Sequence, residues 1–226
     1  MNIAENITAL RKEIPDQVKI IAVSKTMSAV KVMEAYRAGQ RLFGENKVQE
    51  LLKKQPLLPA DVEWHFIGHL QTNKVKLVVP LVRLIHSVDS EKLLWHIDKE
   101  GQRLGKRISC LLQVKIAREE SKYGMEKNDA TQLLNTYLHH KFSFVEIRGL
   151  MGMATLTKDQ EQISKEFAFL AACYHELKQG LFAQNEAFQE ISMGMSGDYR
   201  IALENGSTMV RIGSLIFGER IHDPLK

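Results

Sequence analysis

Only two cysteines occur in the 226 residues, Cys110 and Cys173. Their spacing suits neither a redox pair nor a zinc site, so a disulfide framework is excluded and both thiols are expected to be buried and inert. Proline is scarce at 5 residues, and no Pro/Gly-rich linker interrupts the chain, which argues for one domain spanning 1–226. Long apolar runs are missing as well. Nothing approaches the roughly 20 residues that a bilayer span needs, and the opening "MNIAENITALRKEIPDQ" lacks a charged-then-apolar leader profile. Nor does one sign of charge accumulate: 31 Lys+Arg against 27 Asp+Glu leave +4, scattered, with no basic block interleaved with aromatics. The expectation is a cytoplasmic protein with no membrane or nucleic-acid partner, although a mild positive excess suits phosphorylated small molecules.

What is present is an alternation. The apolar, β-branched runs "KIIAVSK", "RLFGEN", "EWHFIGHL", "RLIHSVDS", "ISCLLQVKI", "FVEIRGLMGMA", "QEISMGMS" and "STMVRIGSLIFG" read as strands. Segments of helical period separate them. Ile163, Phe167, Leu170, Tyr174 and Leu177 make one stripe, with Thr157 and Gln160 as a capping box and Gly180 as a stop. Leu93, Leu94, Ile97 and Leu104 make another, ended by Gly105. Eight strand–helix alternations predict an α/β fold, a single (β/α)8 TIM barrel with an extra N-terminal helix near residues 2–13. A doubly wound open sheet is the alternative. It favours a Gly-rich first turn, whereas the first strand here ends "VSKTMS".

In such a barrel, reactive groups sit at the C-terminal ends of strands, and the loops after strands seven and eight often hold a phosphate. Those loops are "SMGMSGDY", with Ser196 and Gly197 ahead of a helical segment opening at Asp198 and Tyr199, and "RIGSLIFGER", with Gly213 and Ser214. Arg211 lies inside an apolar strand, on the same face as Gly213 by period-two alternation. It needs an acceptor, either a ligand or an internal carboxylate such as Glu146 or Glu190. Lys25 ends strand one, which closes against strand eight. It is either a surface residue, a phosphate-binding charge or a nucleophile activated by desolvation and a nearby cation. A carbonyl compound carrying a phosphate fits all these groups, which describes pyridoxal phosphate and, equally, a phosphorylated sugar in a cofactor-free aldolase. His65 and His69 in "WHFIGHL", four residues apart in a strand, share a face, and they are expected to line the barrel or its core, since no third metal ligand is evident.

The motifs "VSKT", "FGENKVQE", "WHFIGHLQTNK", "HSVDS", "GLMGMAT", "SMGMS" followed by "DY", and "GSTMVRIGSLIFGER", in this order, resemble the pyridoxal phosphate homeostasis protein family from about residue 19 to 220. The resemblance implies a barrel similar to the N-terminal domain of alanine racemase, holding pyridoxal 5'-phosphate as a Schiff base on Lys25. It implies that Asn46 approaches the cofactor ring, that Ser196, Gly213 and Ser214 bind the phosphate, and that Arg211 faces the pyridine nitrogen. Two positions depart from the family pattern. Lys47 stands where an aromatic is commoner, which touches only the wall beside Asn46, and Ser214 replaces a common threonine while keeping the hydroxyl.

Arginine opposite the pyridine nitrogen weakens the ring as an electron sink, because a permanent cation disfavours a second positive charge. Racemisation also needs acid–base groups on both faces of the substrate carbon. Alanine racemase takes one of them from a second domain, for which the short stretch after strand eight leaves no room. The expected function is therefore a monomeric, non-catalytic carrier that maintains vitamin B6 homeostasis and supplies the cofactor to apo-enzymes. The alternative is a weak racemase-like enzyme with Lys25 as one base.

Overall fold

The computed structural model describes residues 2–119, 123–140 and 142–218. Eight parallel strands run in chain order: β1 Lys19–Val23, β2 Leu42–Glu45, β3 Glu63–Phe66, β4 Leu84–Val88, β5 Ile108–Gln113, β6 Val145–Met151, β7 Glu190–Met195 and β8 Met209–Ile212. Each pairs with the next and β8 pairs back to β1, giving a closed barrel with Ile21 opposite Arg211. The helices are α1 Ile3–Glu13, α2 Ala29–Arg37, α3 Val48–Lys54, α4 Val75–Val78, α5 Glu91–Leu104, α6 Lys127–His139, α7 Gln160–Gln179, α8 Tyr199–Glu204 and α9 Ser214–Phe217. The last two residues of the quoted "GSTMVRIGSLIFGER" lie outside the described residues.

The main core lies between the strands' outward faces and the helix ring. Phe43, Phe66, Ile85, Phe167 and Phe188 are fully buried in it, each stabilising the fold by on the order of 1.5–3 kcal/mol through the apolar surface it removes from water. A smaller cluster of Leu84, Leu111, Met151 and Met209 is separate from it. Both cysteines are buried free thiols, and the Cys110 thiol is pushed up by burial, out of reactive range. Helix α1 packs beside α2 and α9, tied to the latter by Asn6 Nδ2 donating to the Ile216 carbonyl at 3.0 Å. Among the described residues no helix is long and apolar enough to cross a membrane.

Two local expectations are corrected. Helix α7 is capped by Asp159, whose carboxylate accepts from Gln162 N–H at 3.1 Å, while Thr157 Oγ1 accepts one step earlier, from Asp159 N–H. The box was placed two residues early because Thr157 and Asp159 both suit a helix start. Leu104 is half-exposed, since α5 ends there and Gly105 turns the chain away at φ +61°.

Candidate functional site

Strand β1 is apolar through Val23, and the chain then turns outward over Ser24, Lys25 and Thr26. Ser24 is buried, Lys25 half-buried and Thr26 exposed, so the lysine sits at the rim where strand meets loop. Thr26 has φ +65°, a left-handed conformation that β-branched residues rarely adopt. Its N–H donates to Glu50 Oε2 at 2.6 Å, and its hydroxyl donates to the Lys25 carbonyl at 2.6 Å. Glu50 also receives Lys54 Nζ at 2.9 Å, and Lys54 further donates to the Ser24 carbonyl and Glu45 Oε1, both at 2.7 Å.

Arg211 is 4% exposed and lies on β8, next to β1. The carboxylates considered for it are engaged elsewhere: Glu190 with Lys19, and Glu146 with Arg148 and Arg107. Arg211 donates instead to neutral oxygens, the Ser192 hydroxyl at 2.6 Å, the Ser192 carbonyl at 2.8 Å and the Gly152 carbonyl at 3.0 Å. Because a guanidinium only donates, the Ser192 hydroxyl hydrogen is left to point at His86 Nδ1, 3.0 Å away. His86 Nε2 then donates to His65 Nδ1 at 2.8 Å. Both rings are neutral. Burial, then the charges of Lys19 and Arg83, push His65 down to about 3, and burial holds His86 well below the ordinary value, aided by His65 and Arg211. Burial pushes Arg211 down to about 10, opposed by Asp198, so it stays a cation at neutrality.

His65 and His69 do not share a face. Strand β3 ends at Phe66, so His65 points into the barrel while His69 stands in the following loop, 3.1 Å from Asp89 Oδ2 and stacked on Tyr123. No group of three His, Cys, Asp or Glu suited to a metal is found among the described residues.

Lys25, Asn46, Ser196, Arg211, Gly213 and Ser214 line one cavity of about 410 Å³, together with Val23, Ile67, Met153 and Asp198. That size falls within the usual range for small-ligand sites, roughly 300–1,000 Å³. Asn46 reaches it because the loops after β2 and β3 touch. A Cβ on Gly68 would come within 2.1 Å of the Asn46 carbonyl oxygen, so only glycine fits there. Ser196 Oγ accepts from Gly213 N–H at 3.2 Å, joining the loops after β7 and β8. Asp198 stands at the N-cap position of α8, but its carboxylate turns back to accept from Met195 N–H at 2.5 Å, and burial raises its carboxyl against that bond and the charge of Arg211. Lys47, which departs from the family pattern, is exposed and outside the cavity lining.

Sequence reading did not find Ser192, His86, Glu45, Glu50 and Lys54. For His86 the only signal the sequence offers is a polar ring inside the apolar run "RLIHSVDS"; the register that sets Leu84 opposite His65, and so turns His86 inward two residues on, appears only in the sheet. Lys54 gave none, because a lysine late in a short amphipathic helix reads as solvent-facing.

The family model for the alanine racemase N-terminal domain matches residues 1–221. The pyridoxal phosphate homeostasis protein of Aquifex aeolicus is 39% identical over 203 residues, 89% of this chain and 87% of that protein. The human protein of the same name is 40% identical over 214 residues, 90% of this chain and 77% of that one. PipY of Synechococcus elongatus, solved with PLP bound, superposes with a TM-score of 0.87 at 38% identity, covering 96% of this chain and 100% of that one. Alanine racemase of Bartonella henselae, at 18% identity and a TM-score of 0.73 over 62% of its length, shares the fold.

Proposed function

Since the chain belongs to the alanine racemase N-terminal domain family, and within it to the pyridoxal phosphate homeostasis proteins, we propose that it binds pyridoxal 5'-phosphate in the Lys25 cavity. In this reading the cofactor is held covalently and reversibly on Lys25, so that its free concentration is buffered and apo-enzymes are supplied. The observation that carries the reading is the convergence of an amine, a guanidinium, two hydroxyls and an amide on one cavity.

The residues present fit the cofactor. Every group named is a hydrogen-bond donor, as an anionic phosphate requires. At Gly197 an added Cβ would meet nothing within 4 Å, and at Gly213 it would only touch Val23 at 3.5 Å. Neither has a positive φ. The chain's own packing therefore does not call for glycine at either place, whereas a phosphate lying against the backbone does.

When bound, the cofactor supplies an aldehyde that condenses with a primary amine, its oxygen leaving as water with both amine hydrogens, and hydrolysis reverses the step. Lys25 provides the amine. Ser196 and Ser214 donate to the phosphate, and the Ser196 hydroxyl hydrogen is available because its oxygen already accepts from Gly213 N–H. Asn46 stands beside the ring. Arg211, a cation with neutral partners, keeps the ring nitrogen unprotonated and so limits its power to stabilise a carbanion.

Among the described residues lining the cavity, the titratable ones are Lys25, Asp198 and Arg211. Arg211 keeps its proton at neutrality, and Asp198 accepts from Met195 N–H. They supply no acid–base pair across a substrate carbon, which supports a non-catalytic carrier over a racemase. The cavity mouth is open beside Leu156, 86% exposed, leaving a path for release.

The test is an absorption titration with pyridoxal phosphate. The wild-type protein is expected to turn yellow and Lys25→Ala to stay colourless at the same concentrations. Equal colour in both proteins would reject Lys25 as the attachment point.

A further inference from the structure

Behind Lys25, outside the cavity, lies a buried ionic cluster that the binding reading does not use. Lys54 is 6% exposed and Glu45 fully buried, and both lie between the barrel wall and α3. The three ammonium hydrogens of Lys54 meet three acceptors: the Ser24 carbonyl, Glu45 Oε1 and Glu50 Oε2. Ser24 Oγ donates to Glu45 Oε1 at 2.6 Å, and Thr26 N–H donates to Glu50 Oε2 at 2.6 Å. The cluster thus grips the residue before Lys25 by its carbonyl and hydroxyl, and the residue after it by its amide.

We propose that Glu45, Glu50 and Lys54 are positioning residues for Lys25, clamping the main chain on both sides so that its amine is presented to the bound aldehyde. This rests on the reading of Lys25 as the attachment residue.

Two observations favour positioning over simple stabilisation. A buried ion pair is seldom more stabilising than apolar side chains of the same volume. This one also carries an extra cost, since Glu45 Oε2 is buried with no hydrogen-bond partner among the described residues. Further, the bonds end on a strained backbone. Thr26 at φ +65° costs on the order of 1–3 kcal/mol and persists only because its surroundings impose that conformation, and such strain gathers at functional sites. The Glu50 charge is suited to its part: burial alone would raise its carboxyl, but the bonds from Lys54 and Thr26 N–H and the nearby lysines carry it below the ordinary range.

Two ligands separate positioning from general integrity: pyridoxal phosphate, and pyridoxine phosphate, which has an alcohol in place of the aldehyde and cannot join Lys25. Glu50 is the residue to change, because its side chain is 21% exposed and its loss leaves no cavity in the core. Glu50→Ala is expected to slow colour formation with pyridoxal phosphate roughly tenfold by stopped-flow absorbance, with pyridoxine phosphate affinity unchanged. Glu50→Gln keeps an acceptor for Thr26 N–H and is expected to recover most of the rate. Ser24→Ala cuts one bond of the clamp. It should show the same split at smaller amplitude, and it carries the test if circular dichroism shows Glu50→Ala unfolded. An unchanged rate in a folded Glu50→Ala, or a parallel loss of affinity for both ligands, overturns the proposal. A wild-type protein that fixes no cofactor on Lys25 overturns the underlying reading as well.

Discussion

Lys25 is held by charge and Arg211 by its absence. Just past β1, and outside the cavity, Lys54 bonds the Ser24 carbonyl, Glu50 the Thr26 amide and Glu45 the Ser24 hydroxyl, and one residue of that backbone is strained. On the neighbouring β8, the guanidinium rests on a hydroxyl and two carbonyls, and the chain behind it runs through two neutral histidines. The difference matches what each side must present if Lys25 holds the cofactor and Arg211 faces its ring nitrogen, as proposed above. An attachment residue needs fixed direction, which a many-armed ionic clamp provides. A group that keeps a ring nitrogen unprotonated needs undiminished positive charge, which neutral acceptors preserve and a carboxylate partner would cancel.

The largest effect expected from this contrast is in stability. Lys54→Met leaves buried Glu45 without its cation and should cost about 3–5 kcal/mol, more than Arg211→Met, which strands only neutral acceptors at about 1–3 kcal/mol. Urea denaturation of the two variants gives the order, and the reverse order would remove the distinction. A middle-sized effect separates the two sides by pH. Between the ordinary histidine value of 6.5 and the depressed value of about 3, the unfolded chain takes up a proton that folded His65 refuses. Stability is therefore unaffected by this group above pH 6.5 and falls by about 1.4 kcal/mol per pH unit below it, with His86 acting in the same direction. Glu50 works later in the descent: its lowered carboxyl contributes stability above 4.5 that is lost only as the pH falls below that value. His65→Gln should flatten the slope between neutrality and pH 5, and an unchanged slope would place the acid sensitivity elsewhere. The smallest effect is at Thr26. Glycine relieves the strain at φ +65° but adds unfolded-state entropy, so Thr26→Gly should raise stability by no more than about 1 kcal/mol. A drop in melting temperature would show that the threonine side chain matters more than its backbone angle.

The barrel was legible because its strands are apolar runs of period two between amphipathic helices, signals that are local in sequence. Lys25 and Arg211 were legible for a related reason: each is a charge in an otherwise apolar run, and each carries a chemical question with it. The groups that hold them were not. Glu45 meets Ser24 across 21 residues, Lys54 meets Ser24 across 30, and His86 meets Ser192 across 106. Pairing of β1 with β2 brings the first two pairs together, and only the closed barrel brings the third. His65 was paired with His69 by counting along one strand, while its partner lay one strand over.

The most direct measurement is borohydride reduction of the protein loaded with pyridoxal phosphate, followed by peptide mass spectrometry. One pyridoxyl adduct is expected, on the peptide containing Lys25. An adduct on another lysine, or none after prolonged loading, would contradict it.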